Sequence, residues 1–525
     1  MSTKNYLALT ETYDIDNDVT EFEYVEYLDE NSNEPNKTGI RTFNTRDEDV
    51  FLLPHKAMLE VRGQIMTAAV PPVAIAAGRE VALINNGWCL FKSARYQLAN
   101  QTIEDISGHL QVASTILNII SFSDDYSRST ATNMMWFKDT GRGIAESNGT
   151  AASAEFIPRI AVAAGADAAG SANADASAVN VRNFLITKAA VLGIVPPDAA
   201  ADAAVTRVSL TAACNNLGIT PPGGADDGTV MLNLVNDNIS GFKTVRYNEG
   251  FAKRKELAAA SRQITMMLPL SMIFGFCRDH DKVFRGVKHT LILDRADQND
   301  CLFRFGGADV QFIINKLALW IPRITPSITK MSELNSTLDK HTNRIYFKQH
   351  KVYQTAVPNT TDYTWRITTT SSEQLPRNIF IVFQRQDRRG NQQQNNAIFD
   401  HANVRRIHAR LNSRQYPERA IECNFSDDDN KNITRPYMYL LDAMQKYQDV
   451  EDGTQISAEE FRTLYPIFHF DVSKHHERVV DSTADIEITW TLGAVPVAPL
   501  YVYALVISDR FFTIDSIGGK MTVQV

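Results

Sequence analysis

The stretch Asp485-Ile486-Glu487-Ile488-Thr489-Trp490-Thr491-Leu492 alternates without a break: each even position from 486 to 492 is apolar and each odd one polar. A period of two sends one set of side chains to a core and the other to solvent or a neighbouring sheet. Working outward, similar short runs recur at 58–65, 81–84, 268–277, 288–293, 310–321, 343–357, 364–370, 378–384, 465–472 and 501–508. Helix-like patches are fewer, at 103–120, 181–192, 249–260 and 458–464. Many strands with few helices predict an all-β chain of the sandwich or barrel type.

Length and composition agree with a folded protein. The chain has 525 residues, 44% of them hydrophobic and 22% charged, enough for about two to four domains with sizeable cores. The apolar runs at 266–276 and 317–321 fall well short of the roughly 20 residues that cross a bilayer as a helix. The first residues show no basic segment followed by an apolar one, so the expectation is synthesis in a reducing cytosol. The five cysteines, Cys89, Cys214, Cys277, Cys301 and Cys423, are odd in number and never in a Cys-x-x-Cys pair. They read as buried free thiols rather than disulfides or zinc ligands.

Charge is unevenly spread. Residues 1–50 hold 13 acids and 4 bases, whereas the whole chain is only −8. Residues 340–420 carry 14 bases against 5 acids, and residues 421–525 carry 8 against 17. An acidic chain of pI near 5.8 is no general nucleic-acid coat, and no sequence-specific nucleic-acid binding is expected. Segments of opposite sign suit solvated faces and contacts between subunits.

Long connections separate the strands. The segment between Trp88 and Leu268 is rich in Ala, Gly and Asn, and its middle, 161–178, is almost all small residues that bury too little area for a core. A polar loop at 384–396 contains Gln392-Gln-Gln-Asn-Asn, and another at 427–432 opens with three aspartates. Two strand-rich halves divide around 326–338, without a visible sequence repeat.

Catalytic motifs are absent: no Walker loop, nucleophile elbow, His-Glu-x-x-His helix or dinucleotide-binding glycine pattern occurs. Gly141-Arg-Gly143, Gly223-Gly224 and Gly306-Gly307 read as turns. His475-His476 cannot share one ion from a regular strand. His401 and His408 frame Arg405 and Arg406, with Arg410 and Arg414 beyond, a cluster suited to phosphate or to carboxylates of a neighbouring subunit. Asp427-Asp428-Asp429 lacks the spacing of a calcium loop, and Ser123–Ser129 reads as a loop ordered by Asp–Arg pairing. The tryptophans Trp88, Trp136, Trp320, Trp365 and Trp490 read as core. No catalytic, cofactor-binding or metal-binding residue is assigned, and no cofactor or enzymatic activity is expected. Residues 10–34, acidic with interleaved Tyr and Phe, read as an arm that docks on another subunit or orders on meeting a partner.

The order of segments resembles a known family. Thr42-Phe-Asn-Thr45 followed by Leu52-Leu-Pro-His-Lys-Ala-Met-Leu-Glu-Val-Arg62 resembles the opening strands of double jelly-roll major capsid proteins, most of all the hexon-like proteins of Polinton/Maverick elements and adintoviruses. Ile84-Asn-Asn-Gly-Trp-Cys-Leu-Phe91 with Tyr96-Gln-Leu-Ala-Asn-Gln-Thr102 is similar to their next strand, turn and strand, and Ser123–Ser129 to their Asp-Tyr-Ser turn. Leu291-Ile-Leu-Asp-Arg-Ala-Asp-Gln-Asn-Asp300 and Lys316-Leu-Ala-Leu-Trp-Ile-Pro-Arg-Ile324 resemble the end of their first jelly roll. The similarity runs from about 38 to 510, and the Ala-rich insertion departs from it.

The resemblance implies an all-β double jelly roll: an acidic N-terminal arm at 1–37, a first jelly roll at 38–328 with the insertion around 141–250, and a second at 329–525. It also implies two eight-stranded antiparallel sandwiches side by side, with long loop insertions and a few short helices. It implies obligate homotrimers forming pseudo-hexagonal capsomers that tile the icosahedral shell of a double-stranded DNA virus or related endogenous element. Partners would be neighbouring capsomers, penton and minor capsid proteins, and an internal membrane, where one exists, met by the N-terminal arm; the location would be the virion. Two readings compete. A loop-decorated β-sandwich binding carbohydrate or a receptor would show specific glycan retention. A β-sandwich hydrolase would show activity in a monomer.

Overall fold

The computed structural model describes residues 18–30, 36, 39–45, 50–76, 79–140, 185–186, 189, 194–195, 203–216, 248–304, 308–340, 343–368, 376–412, 414–425, 432–448, 452–473, 485–517 and 520–524. The Ala-rich stretch 161–178, the aspartates at 427–429, the pair at 475–476 and the glycine fragments at 141–143, 223–224 and 306–307 lie outside the described residues, as does most of the insertion.

In the first half the strands are β1 (Val19–Leu28), β2 (Ile40–Asn44), β3 (Phe51–Leu52), β4 (Met58–Thr67), β5 (Val81–Leu83), β6 (Phe91–Leu98), β7 (Gln101–Ile106), β8 (Ile264–Pro269), β9 (Phe284–Arg285), β10 (His289–Arg295), β11 (Leu302–Arg304) and β12 (Val310–Pro326). In the second half they are β13 (Asn343–Ala356), β14 (Asp362–Thr368), β15 (Pro376–Arg385), β16 (Val404–Leu411), β17 (Arg414–Glu422), β18 (Phe468–Asp471), β19 (Asp485–Leu492), β20 (Leu500–Ile517) and β21 (Lys520–Gln524).

The two halves share one topology. Antiparallel pairing gives β1-β12-β4-β8 and β2-β10-β6-β7 in the first half, and β13-β20-β15-β18 and β14-β19-β16-β17 in the second. Setting aside β3, β5, β9, β11 and β21, each half has eight strands, numbered here within the half. One sheet then runs 1-8-3-6 and the other 2-7-4-5, which is the jelly-roll order. Successive strands reverse direction, so the connections after the third and fifth strands leave from the same end. Those are 68–90 and 107–263 in the first half, and 386–403 and 423–467 in the second. The fourth and fifth strands are joined tightly at the opposite end. Between β6 and β7, Ala99 and Asn100 sit at φ 48° and 66°, the left-handed pair that a two-residue hairpin requires.

The alternation of β19 is realised in full: Ile486, Ile488, Trp490 and Leu492 are buried and the residues between them are only partly covered. One contiguous cluster of buried apolar side chains extends through both halves, including Phe43, Leu59 and Tyr96 in the first and Ile379, Ile488 and Tyr503 in the second.

Three expectations are corrected, and one segment outside the expected strands proves to be a hairpin. Residues 103–120 are not one helix: β7 ends at Ile106, Gly108 turns the chain at φ 76°, and the helix is Leu110–Ser121. The run 268–277 is strand only to Pro269, then a short turn of 3-10 helix and the helix Gly275–Asp279. The arginine-rich segment at 404–422 forms the hairpin β16–β17. Finally, 19–28 is no free arm. β1 pairs within the chain, from Val19 opposite Pro326 to Leu28 opposite Ala318, and holds the place that β13 holds in the second half. β1 thus joins the same sheet as β12.

Candidate assembly site: the seam and the loop end

Among the described residues β13 pairs only with β20, so its outer edge presents backbone N–H groups that no described strand takes up. The first half supplies carboxylates for them. Lys348 N–H donates to Asp279 Oδ2 at 2.8 Å, and His350 N–H donates to Glu104 Oε1 at 3.0 Å. Glu104 lies on β7 and accepts Phe276 N–H on its other oxygen at 3.2 Å. An open strand edge is a template for stray pairing, and charged side chains at the edge prevent it. Here the other half of the molecule provides the charges.

The helix Gly275–Asp279 packs hard against this edge. A Cβ at Gly275 would lie 1.7 Å from the Lys348 carbonyl oxygen, so no larger residue fits without moving the strand. The Phe276 ring lies 6.0 Å from that of Phe347 and 5.6 Å from that of Phe512. Arg510 on β20 donates to the Ile103 carbonyl at 3.1 Å. His350 donates Nδ1–H to the Ile273 carbonyl at 2.8 Å. Its pKa is pushed down to about 3, chiefly by burial and then by Arg278. It is therefore neutral, and its 3.5 Å approach to Glu104 is no ion pair.

Burial pushes the Glu104 carboxyl up from its ordinary 4.5 to about 7, outweighing the backbone N–H donors that favour its charge. The folded state thus keeps a proton that the unfolded chain releases. Its contribution to stability is fully present below pH 4.5 and is lost as pH rises to about 7, with a total of about 3 kcal/mol. Urea unfolding midpoints of wild type should fall between pH 5 and 8 by more than those of Glu104→Gln, which has no proton to lose. Equal pH dependence in the two proteins would rule the assignment out.

At the end bearing the long connections, a buried network joins the halves. Arg254, on the helix Glu249–Ala258, donates Nη2–H to Asp139 Oδ1 at 2.6 Å, with both side chains fully buried. Its Nε–H donates to the Leu83 carbonyl at 2.9 Å. From the second half, Asn395 donates to Asp139 Oδ2 at 2.9 Å, and Tyr465 O–H donates to the Asp139 carbonyl at 3.4 Å. Trp136 Nε1–H donates to Gln455 Oε1 at 3.0 Å, and Lys138 pairs with Glu460 at 2.8 Å. Gln392 accepts Val310 N–H at 3.1 Å and Arg304 Nε–H at 3.2 Å. The loop at 384–396, polar in sequence, buries Gln392, Asn395 and Asn396 between the halves.

The remaining sequence candidates are dispersed. All five cysteines are free and buried, and burial raises the thiols of Cys89, Cys301 and Cys423 to about 12. Ser123 caps the short helix Asp124–Arg128, within which Asp124 and Arg128 pair at 3.0 Å. Trp88, Trp136 and Trp490 are fully buried, whereas Trp320 is half-buried and donates to Glu60 at 2.8 Å. His401 accepts Asn403 N–H and stacks on Phe425. Arg406, His408 and Arg410 share the outward face of β16, because Ile407, Ala409 and Leu411 point to the core. Among the described residues, no three His, Cys, Asp or Glu side chains are arranged to hold a metal ion, and no helix is long and apolar enough to cross a membrane.

A chain of the Sputnik virophage structure solved by cryo-EM is 8% identical, with a TM-score of 0.50, covering 100% of this chain and 92% of that one. The mavirus major capsid protein is 10% identical at a TM-score of 0.45, covering 100% and 93%. The Faustovirus major capsid protein is 8% identical at 0.46, covering 96% and 92%. No curated protein matches by sequence. A family model described as a double jelly roll-like domain matches residues 234–512, more than half of the chain. That match spans the end of the first sandwich and nearly all of the second, and both halves repeat the jelly-roll strand order, so the chain belongs to the double jelly roll-like family.

Proposed function

We propose that this chain is a major capsid protein whose homotrimers form pseudo-hexagonal capsomers in the icosahedral shell of a double-stranded DNA virus or related endogenous element. The observation that carries it is the pairing of two sandwiches of identical strand order, held side by side by a buried polar seam. Three such chains supply six like rolls, a unit that tiles a hexagonal lattice. Long connections gathered at one end let surface loops vary without disturbing either core. Buried, individually satisfied polar groups such as Asp139 and Gln392 serve cohesion rather than catalysis. In this reading the partners are sister subunits, neighbouring capsomers, and penton and minor capsid proteins. An internal membrane, where one is enclosed, would be met by the N-terminal acidic segment. The protein would reside in the virion after synthesis in the host cytosol.

Native mass decides the matter. A chain of 58.7 kDa should give a trimer of about 176 kDa, with a pseudo-hexagonal outline by electron microscopy. A monomer at every concentration would overturn the reading.

A further inference from the structure

The seam inside the chain specifies the contact between chains. In the first half the seam flank consists of β7 and the helix Gly275–Asp279, which follows β8 in the chain; in the second it is the open edge of β13, the first strand of its half. The fifth strand of one roll, with the helix that follows its sixth, therefore meets the first strand of the next. Two flanks have no in-chain counterpart among the described residues. One carries β1 and β2, the first and second strands of the first half. The other carries β17 and β18, the fifth and sixth strands of the second half, with the helix Thr434–Ala443 laid across them. In that helix Arg435 donates to the carbonyls of Arg419 and Ala420 at 2.8 and 3.1 Å.

The chemistry of these two flanks is complementary. Among the described residues β1 pairs only with β12, so its other edge is open there in the same way as that of β13. Along it Phe22 and Tyr24 stay 46% and 41% exposed. Glu21 forms no ion pair among the described residues, and Glu23 reaches Arg323 only at 3.9 Å. On the opposite flank, Arg414 and Arg419 of β17 are exposed and have no carboxylate partner among the described residues; the same holds for Arg406 and Arg410 on β16. The corresponding sheet of the first half differs: its outward cations are neutralised, Lys92 by Asp294 and Arg95 by Asp105, each at 3.0 Å. A head-to-tail contact needs two different complementary surfaces on one chain, and these are two such surfaces.

We propose that the β17–β18 flank of one copy docks beside β1 of a second copy, with Arg414 and Arg419 facing Glu21 and Glu23, so that the intersubunit contact repeats the intrachain seam. The proposal rests on the capsomer reading and deepens it. The test uses the full chain and native mass spectrometry at low ionic strength, where exposed pairs are least screened. R414E/R419E should lower the trimer population at least tenfold while the thermal midpoint of the monomer is unchanged. E21R/E23R should do the same, and the four changes combined should restore the trimer. Should R414E/R419E fail to fold, E21R/E23R alone decides. A wild-type trimer that survives both reversals intact overturns the proposal. So does an intact trimer whose only loss is binding of a double-stranded oligonucleotide, which would assign the arginines to a polyanion. A wild-type monomer would instead overturn the capsomer reading itself.

Discussion

Ile488→Asp should yield no folded protein, whereas Thr489→Asp, one residue along, should fold at a cost of about 1 kcal/mol or less. Ile488 sits on β19, an interior strand of its sheet, opposite Trp365 on β14 and Ala409 on β16, and is fully buried. An aspartate there has no partner and no water. Burying one unpaired carboxylate costs several kcal/mol, of the same order as the whole stability of a typical domain, about 5–15 kcal/mol. Trp490→Asp should fail likewise. Its ring lies 5.4 Å from Tyr363 and 5.6 Å from Phe383, so both packing and desolvation are lost. Thr489 faces outward beside Thr364, whose hydroxyl it meets at 3.0 Å. Soluble yield and circular dichroism of the three variants check the contrast. A folded Ile488→Asp would mean that the inner face of β19 is assigned to the wrong side.

That contrast was legible because β19 alternates strictly. β16 also alternates toward the core through Ile407, Ala409 and Leu411, but Arg405 and Arg406 precede them and His408 and Arg410 lie between them. Their charge reads as a binding cluster before it reads as the outer face of a strand. Register shifts in both of its pairings blur the period further. β1 was obscured in the same way. Its glutamates and aromatics suit a docking arm as well as an edge strand, and only its bonding to β12 decides between them. The duplication of topology left no trace in the sequence, since strand order needs alternation and connection lengths but no shared residues. The seam and the loop network were the least legible. Glu104, Gln392 and Asn395 are polar residues that look solvated until the other half brings backbone groups to them.

That network supports the second large effect. Asp139→Ala should cost about 3–5 kcal/mol, because it leaves the Arg254 guanidinium fully buried with no countercharge. Arg254 would keep its bonds to the Leu83 and Phe137 carbonyls, but carbonyl oxygens do not neutralise it. Asn395 loses its acceptor at the same moment, so the damage reaches across from the first half to the second. Arg254→Met alone should also be costly, for it strands the carboxylate. Asp139→Leu combined with Arg254→Met should recover most of the loss, since paired apolar replacements remove both buried charges together. A double-mutant cycle read by urea denaturation gives the coupling. A strongly favourable coupling identifies an ion pair that clamps the two loop connections together. Additive effects would mean that Arg254 is held by its carbonyls alone and that the halves are joined chiefly through the seam at β13.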